Sequence, residues 1–206
     1  VTDLEIVQGL KDGDSNAARV LLDQWQAPLV RYFMASLPDP SIAEDAAQEV
    51  FLRVVRHAQA GRLDTLKSLR AYVFTVASRL AIDLRRTWSR RPYHESLDVS
   101  PSGDEGKPTR HESIPSRQRD ARAALLEREQ MALVSEALGE LDDETRQVIL
   151  LRHVEGMSSQ EVAAIMGVAE GTVWSRLHRG LDRLRARLAM RKVEDLERPA
   201  RKRSQP

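Results

Sequence analysis

SSQEVAAIMGVAEGTVWSRLHRGLDRL, Ser158 to Leu184, reads as a helix, a tight turn and a second helix. Ser158 can cap the first helix, and Glu161, three residues on, can reach back to complete a capping box. Val162, Ile165 and Met166 give that helix its apolar stripe, and Gly167 permits the left-handed residue that ends it. In the second helix Val173, Leu177, Leu181, Leu184 and Leu188 recur at spacings of three and four, which marks a buried face. A different face carries Thr172, Ser175, Arg176, Arg179 and Arg183. Short polar groups and guanidinium groups in one row are what reading base edges in a major groove requires. The stretch predicts a helix-turn-helix. A solvated helical hairpin with a basic face is the plainer alternative, and the short first helix, the Gly turn and the Thr/Ser/Arg row favour DNA.

Composition narrows the setting. The 206 residues suffice for one or two domains, and aromatics make up only 4%. That suits small helical units with aliphatic cores and not a sandwich or barrel. Net charge is +1, so an argument for nucleic acid must rest on distribution. Thr172 to Lys192 and Arg79 to Arg91 are both rich in arginine with a single Asp each, which gives two basic patches on a near-neutral chain. The chain contains no Cys, which removes disulfide and thiolate chemistry and is compatible with a reducing cytoplasm. No apolar run approaches the ~20 residues of a membrane span, so no membrane insertion is expected. VTDLEIVQG at the start has neither a basic leader nor an apolar core, and no signal peptide is expected.

From the N-terminus, Thr2 and Glu5 form a capping-box pattern, and a longer helix starts at Ser15 or Asn16. Its stripe is Ala18, Leu21, Leu22, Trp25, Leu29, Tyr32 and Phe33, with Pro28 placed to kink it. Ser41 with Glu44 predicts a capping box for a third helix, Ser41 to Ala60. Its outer side displays Glu44, Asp45, Gln48, Glu49, Arg53 and Arg56. The helix dipole accounts for Glu44 and Asp45 in the first turn but not for Gln48 and Glu49 farther in. Composition alone treats those two as a solvated face, with a partner surface as the alternative. A loop from Gly61 leads to a long helix that Thr65 or Ser68 caps. There Tyr72, Thr75, Arg79, Asp83 and Arg86 share one side. A ring that can stack on an unpaired base, among cations that can hold phosphates, suits nucleic acid. Arginines bonded to the last carbonyls of a helix are the competing reading.

Pro92 to Ser116 holds four prolines and almost no apolar residues, and cannot fold alone. The chain therefore divides into a helical unit 1–91, a flexible linker 92–117, a second helical unit 118–191 and a basic tail 192–206, expected to be disordered. In the second unit Arg117 to Leu138 is helical, with Met131, Val134, Leu138 and Leu141 inward. Asp142 caps the next helix, and Glu155–Gly156 breaks the chain before the helix-turn-helix. The fold class is all-α: two small helical domains, the C-terminal one carrying the helix-turn-helix. No Gly-rich phosphate loop, paired His ligands or nucleophile elbow occurs, so no catalytic residue, metal or other cofactor is expected.

In order, several blocks resemble the extracytoplasmic-function (ECF) sigma factors of the sigma-70 family. Ala43 to Arg53, AEDAAQEVFLR, resembles the polymerase-binding helix of that family. Tyr72 to Ala77 with Leu80 to Arg86 resembles its promoter-melting helix. Leu141, Arg146, Val148, Leu150, Glu155 to Ser158, Glu161 to Ala163 and Gly171 to Leu177 resemble its region 4. The resemblance implies a promoter-specificity subunit acting in the cytoplasm, with core RNA polymerase, promoter DNA and a cognate anti-sigma factor as partners and no small-molecule substrate. It replaces the solvated reading of the third helix: Asp45, Gln48, Glu49 and Arg53 would dock the beta-prime clamp coiled coil, and region 4 would meet the beta flap. Gly61, Arg62, Lys67, Tyr72, Arg79, Asp83 and Arg86 would take the -10 element. Gly171, Thr172, Trp174, Ser175, Arg176, His178, Arg179 and Arg183 would read the -35 element. The linker would thread the polymerase channels, with Asp98, Asp104 and Glu105 mimicking nucleic acid there.

Some positions depart from the family pattern. Arg79 stands where Asn is frequent, Asp142 where Pro is usual, and Trp174 where Lys is common. Ala169 offers no cap to the reading helix. Two rival readings remain from the residues alone: a stand-alone helix-turn-helix regulator, and a helical adaptor or anti-sigma antagonist. The first lacks a sensor or dimer domain, and the second leaves two separate arginine-rich faces unexplained.

Overall fold

The computed structural model describes residues 1–90 and 133–197, with side chains up to residue 190. The expected linker, the first part of the Arg117 to Leu138 helix with Met131, the linker acids Asp98, Asp104 and Glu105, and most of the basic tail lie outside the described residues. Among the described residues every regular element is helical. The N-terminal unit holds α1 (Asp3–Lys11), α2 (Ser15–Ser36), a 3₁₀ turn at Pro40–Ile42, α3 (Ala43–Gln59) and α4 (Leu69–Ser89). The C-terminal unit holds α5 (133–139), α6 (Asp143–Ile149) continued by a π-helical turn at Leu150–Val154, α7 (Ser159–Met166) and α8 (Glu170–Glu197).

Local chemistry sets the boundaries. Thr2 and Glu5 form their capping box, and Asp14 caps α2. α2 runs on through Pro28 and buries Trp25, Leu29, Tyr32 and Phe33. The Ser41–Glu44 capping box does not form. Instead the Asp39 side chain accepts from the Ser41 N–H at 2.9 Å, and Pro40 starts a 3₁₀ turn that leads straight into α3. Proline presets φ for a first helical position, and an Asp just before it is a strong cap, so the cap moves two residues upstream, from Ser41 to Asp39, while the α-helix itself begins at Ala43. Ser68 caps α4, and Asp3 accepts the Leu69 N–H at 2.7 Å, which ties α4 to α1. Val50, Val54, Val73, Phe74 and Ala77 are fully buried where α2, α3 and α4 meet. Each large aliphatic or aromatic side chain buried in this way contributes about 1.5–3 kcal/mol.

In the C-terminal unit Asp142 accepts the Thr145 N–H at 2.8 Å, so side-chain capping does what a preset proline would do. Ser158 and Glu161 form the expected box, and Gly167 at φ 66° ends α7. α8 crosses α6 at Gly180. A Cβ there would stand 2.6 Å from Thr145 Cγ2 and 2.7 Å from Ile149 Cδ1, both on buried residues. Gly180→Ala is expected to destabilise this unit by about 1–2 kcal/mol in urea unfolding, because overpacking outweighs the gain in helix propensity.

The two units are docked. α7 packs on α4, and the π-helical turn packs on α2. The contact is polar and buried. Tyr32, in α2, hydrogen-bonds Ser78 Oγ at 3.1 Å and Gln147 Oε1, while Gln147 Nε2 donates to Ser36 Oγ at 3.0 Å. Arg85 donates to Asp143 at 2.8 Å and to the Ser36 carbonyl at 3.1 Å. Glu155 is paired with Arg31, and its carbonyl accepts from Arg70. Burial raises the Glu155 carboxyl above the usual range, with Arg31 and Arg70 opposing.

Candidate nucleic-acid interface

Two surfaces carry the expected DNA-contacting residues. The first lies at the junction of α3 and α4. α3 ends with Gly61 at φ 67°, the Arg62 N–H bonded to the His57 carbonyl and the Gly61 N–H to that of Ala58, each at 2.9 Å. These are the paired bonds of a Schellman motif. The loop that follows is pinned to α1 by Lys11 and Asp64 at 2.8 Å. Tyr72 is half-buried one turn into α4, with its ring edge-on to His57 and its hydroxyl bonded to His57 Nδ1. Burial raises the Tyr72 phenol pKa, while the Arg62 and Arg79 guanidinium groups beside it pull the other way. Arg62, Lys67, Arg79, Asp83 and Arg86 are exposed. The sequence reading brought these residues to one helix and its preceding loop, but missed His57.

The second surface is α8. Val173 and Leu177 are buried and Leu181 and Leu184 half-buried, as the period required. The expected row of readers separates into two sets. Gly171, Trp174, Ser175, His178 and Arg179 are exposed, with Trp174 at 55%. Arg176 instead pairs with Glu144 and is only 20% exposed. Arg183 lies 3.8 Å from Asp142, and Arg187 lies 2.7 Å from Glu140. The acidic N-terminal turn of α6 thus runs alongside the arginines of α8. Arginine spacing on one helix gave no sign of these partners, which come from 32 to 47 residues earlier.

The expected polymerase face is on α3. Asp45 and Gln48 are exposed, and Glu49 and Arg53 form an i,i+4 pair at 2.7 Å. Asp45 and Glu49 border an apolar groove over Ile42, Ala46, Leu80, Leu84 and Trp88. Gln48 borders a second groove, with Leu22 and Leu52 exposed at 39% and 50%. A polar ridge between apolar grooves has the make-up of a protein-docking surface. Among the described residues no cluster of His and carboxylates could hold a metal ion, and no helix is long and apolar enough to cross a membrane.

A helical unit with an aromatic–arginine helix, joined to a helix-turn-helix unit, defines a two-part DNA-binding protein. Comparison with known proteins makes the class specific. Residues 21–91 match the model for Sigma-70 region 2, and residues 131–184 match that for Sigma-70, region 4. The chain is 35% identical over 182 residues to the ECF RNA polymerase sigma factor SigL of Mycobacterium tuberculosis, covering 88% of this chain and 94% of that one. It is 27% identical to the ECF RNA polymerase sigma factor SigW of Bacillus subtilis over the same shares. In fold it is similar to CnrH in a complex with the cytosolic domain of CnrY, with a TM-score of 0.65, 23% identity, and 91% of this chain and 97% of that chain covered. The chain belongs to the extracytoplasmic-function sigma factors of the sigma-70 family. Its function is to bind core RNA polymerase and direct promoter-specific transcription initiation, and its family is one of initiation factors and not of enzymes.

Proposed function

We propose that the two units divide the promoter between them. The unit 1–91 binds core polymerase through Asp45, Gln48, Glu49 and Arg53, against the beta-prime clamp coiled coil. Its Gly61 to Lys67 loop and the Tyr72, Arg79, Asp83 and Arg86 side of α4 hold the melted -10 strand. The unit 118–191 reads the -35 duplex with α8 and meets the beta flap. The work is done in the cytoplasm, where the polymerase is. The observation that carries this reading is the pair of exposed arginine faces on separate units, one beside a half-buried aromatic ring and one on a helix-turn-helix. Bases unstacked at -10 need a ring and phosphate contacts to offset unstacking, whereas duplex at -35 needs a helix in the groove.

The exposed set on α8 supports Trp174, Ser175 and Arg179 as the leading readers. Trp174 offers stacking or contact with a thymine methyl group in place of a phosphate contact. Arg176 reaches DNA only by exchanging Glu144 for a phosphate, whereas Arg183, exposed and loosely paired with Asp142, can reach it directly. The docked arrangement also implies motion. Elements centred at -10 and -35 lie about 85 Å apart along B-DNA. α4 and α7, in direct contact, cannot serve both at once. The segment 92–117, fully extended, reaches at most about 90 Å, enough for the units to part. The sigma factor RpoE of Bartonella quintana, similar in fold, is seen in complex with the anti-sigma factor NepR. We propose an antagonist of that kind here.

Two variants test the division. Gln48→Ala with Glu49→Ala is expected to weaken core-polymerase binding at least tenfold and to leave duplex -35 binding by the holoenzyme that still forms unchanged. Trp174→Ala with Arg179→Ala is expected to do the reverse. Exchange of the two phenotypes in co-elution and footprinting assays would overturn the assignment.

A further inference from the structure

His57 belongs to none of the roles above, yet it is held on both sides. Its carbonyl is fixed by the Arg62 N–H in the Schellman turn, and its ring meets Tyr72 at a centroid distance of 6.1 Å and 66° between planes. The Tyr72 hydroxyl and His57 Nδ1 share a hydrogen bond, in which the donor is set by the imidazole tautomer. One hydrogen bond and one edge-on ring contact therefore fix where the Tyr72 ring can stand. The turn that places His57 also brings Arg62 alongside, so ring and cations share one support.

We infer that His57 is a positioning residue for Tyr72, holding its ring in the orientation in which an unpaired base of the promoter stacks on it. The inference rests on the reading of Tyr72 as part of the -10 surface. A ring that is ordered before binding loses less freedom on stacking. Loss of the His57 bond is therefore expected to weaken capture of the melted strand roughly 2- to 10-fold. The duplex interaction at -35 has no such dependence.

The test uses full holoenzyme and a promoter selected by it from a random-sequence library. The -10 region is pre-melted, and 2-aminopurine is placed at each non-template position in turn. Stacking quenches the probe. His57→Phe keeps a ring but removes Nδ1, His57→Gln restores a side chain that can donate or accept, and Tyr72→Phe removes only the hydroxyl. His57→Phe and Tyr72→Phe are each expected to lower bubble affinity and quenching to a similar extent. The double variant is expected to be no worse than either, since both remove the same bond. His57→Gln is expected to recover most of the loss. A purely structural role for His57 would instead lower thermal stability and add to Tyr72→Phe, and that result overturns the proposal. If His57→Phe does not fold, a wild-type response from Tyr72→Phe overturns it equally. If Tyr72→Ala leaves binding and quenching intact, the -10 reading of Tyr72 fails and the role of His57 fails with it. If Tyr72→Ala abolishes quenching while His57→Phe does not alter it, only the positioning role is lost.

Discussion

Replacing Arg146 by methionine is expected to cost the C-terminal unit about 3–5 kcal/mol, enough to unfold much of it at physiological temperature. The side chain is 1% exposed, and every arm of its guanidinium group is engaged. Nε donates to the Leu138 carbonyl at 2.7 Å, one terminal nitrogen to Asp143 at 2.8 Å, and the other to the carbonyls of Gly139, at 3.1 Å, and Leu141. It thus satisfies the end of α5 and the turn into α6 from beneath. Burial, with Arg85 nearby, holds its pKa below the usual arginine value, a cost that Asp143 and Asp142 oppose. Methionine fills the space but takes the guanidinium donor from Asp143 and from three carbonyls, of which Leu138 keeps the Leu141 N–H at 3.2 Å and Gly139 keeps Arg85 at 3.5 Å, so the loss falls hardest on Leu141. Arg146→Lys is expected to rescue little, because an ammonium group cannot reproduce the planar fork. Urea unfolding followed by circular dichroism measures the effect. A loss below about 1 kcal/mol for Arg146→Met would show that the carbonyls find other partners.

The second large effect is expected at the contact between units. Arg85→Ala with Gln147→Ala is predicted to shift the docked arrangement toward the parted one by about 2–5 kcal/mol. Gln147 is fully buried between Tyr32 and Ser36, and Arg85 bridges Ser36 to Asp143. Such polar contacts exchange readily for water when the surfaces separate, which suits an interface that must open. Arg146 keeps its own bond to Asp143, so the C-terminal unit retains its fold. The absence of Cys makes clean labelling possible. Dyes on Leu4→Cys and Arg185→Cys, both exposed, are expected to show lower transfer efficiency in the double variant with helix content unchanged. Association with core polymerase should quicken. Unchanged transfer efficiency would mean that apolar packing alone holds the units together.

What could be read in the sequence was whatever depends on neighbours a few residues away. The boxes at Thr2–Glu5 and Ser158–Glu161, the cap at Asp142 and the turn at Gly167 each need only local chemistry, and each is present. The Ser41–Glu44 box failed for an equally local reason, because Asp39 and Pro40 supply a stronger start. Contacts across long separations were not legible. Arg176 and Glu144 are 32 residues apart, and Tyr32 and Gln147 are 115 apart. Nothing in a helical period says that an arginine row is already paired, or that a tyrosine in a core stripe turns its hydroxyl toward another unit. His57 escaped for a similar reason: its partner is 15 residues away around a turn. The resemblance supplied the polymerase-docking roles proposed for Gln48 and Glu49, which the residues alone read as solvent.

As a sigma factor, this chain gives core RNA polymerase its promoter specificity. Run-off transcription tests it most directly, with purified core polymerase on the library-selected promoter, with and without the chain. A transcript of one defined start that requires the chain, and that Gln48→Ala with Glu49→Ala strongly reduces at limiting amounts of the chain, is the predicted result. A chain that binds the promoter but adds no start-specific transcript would contradict it and would leave a helix-turn-helix regulator in its place.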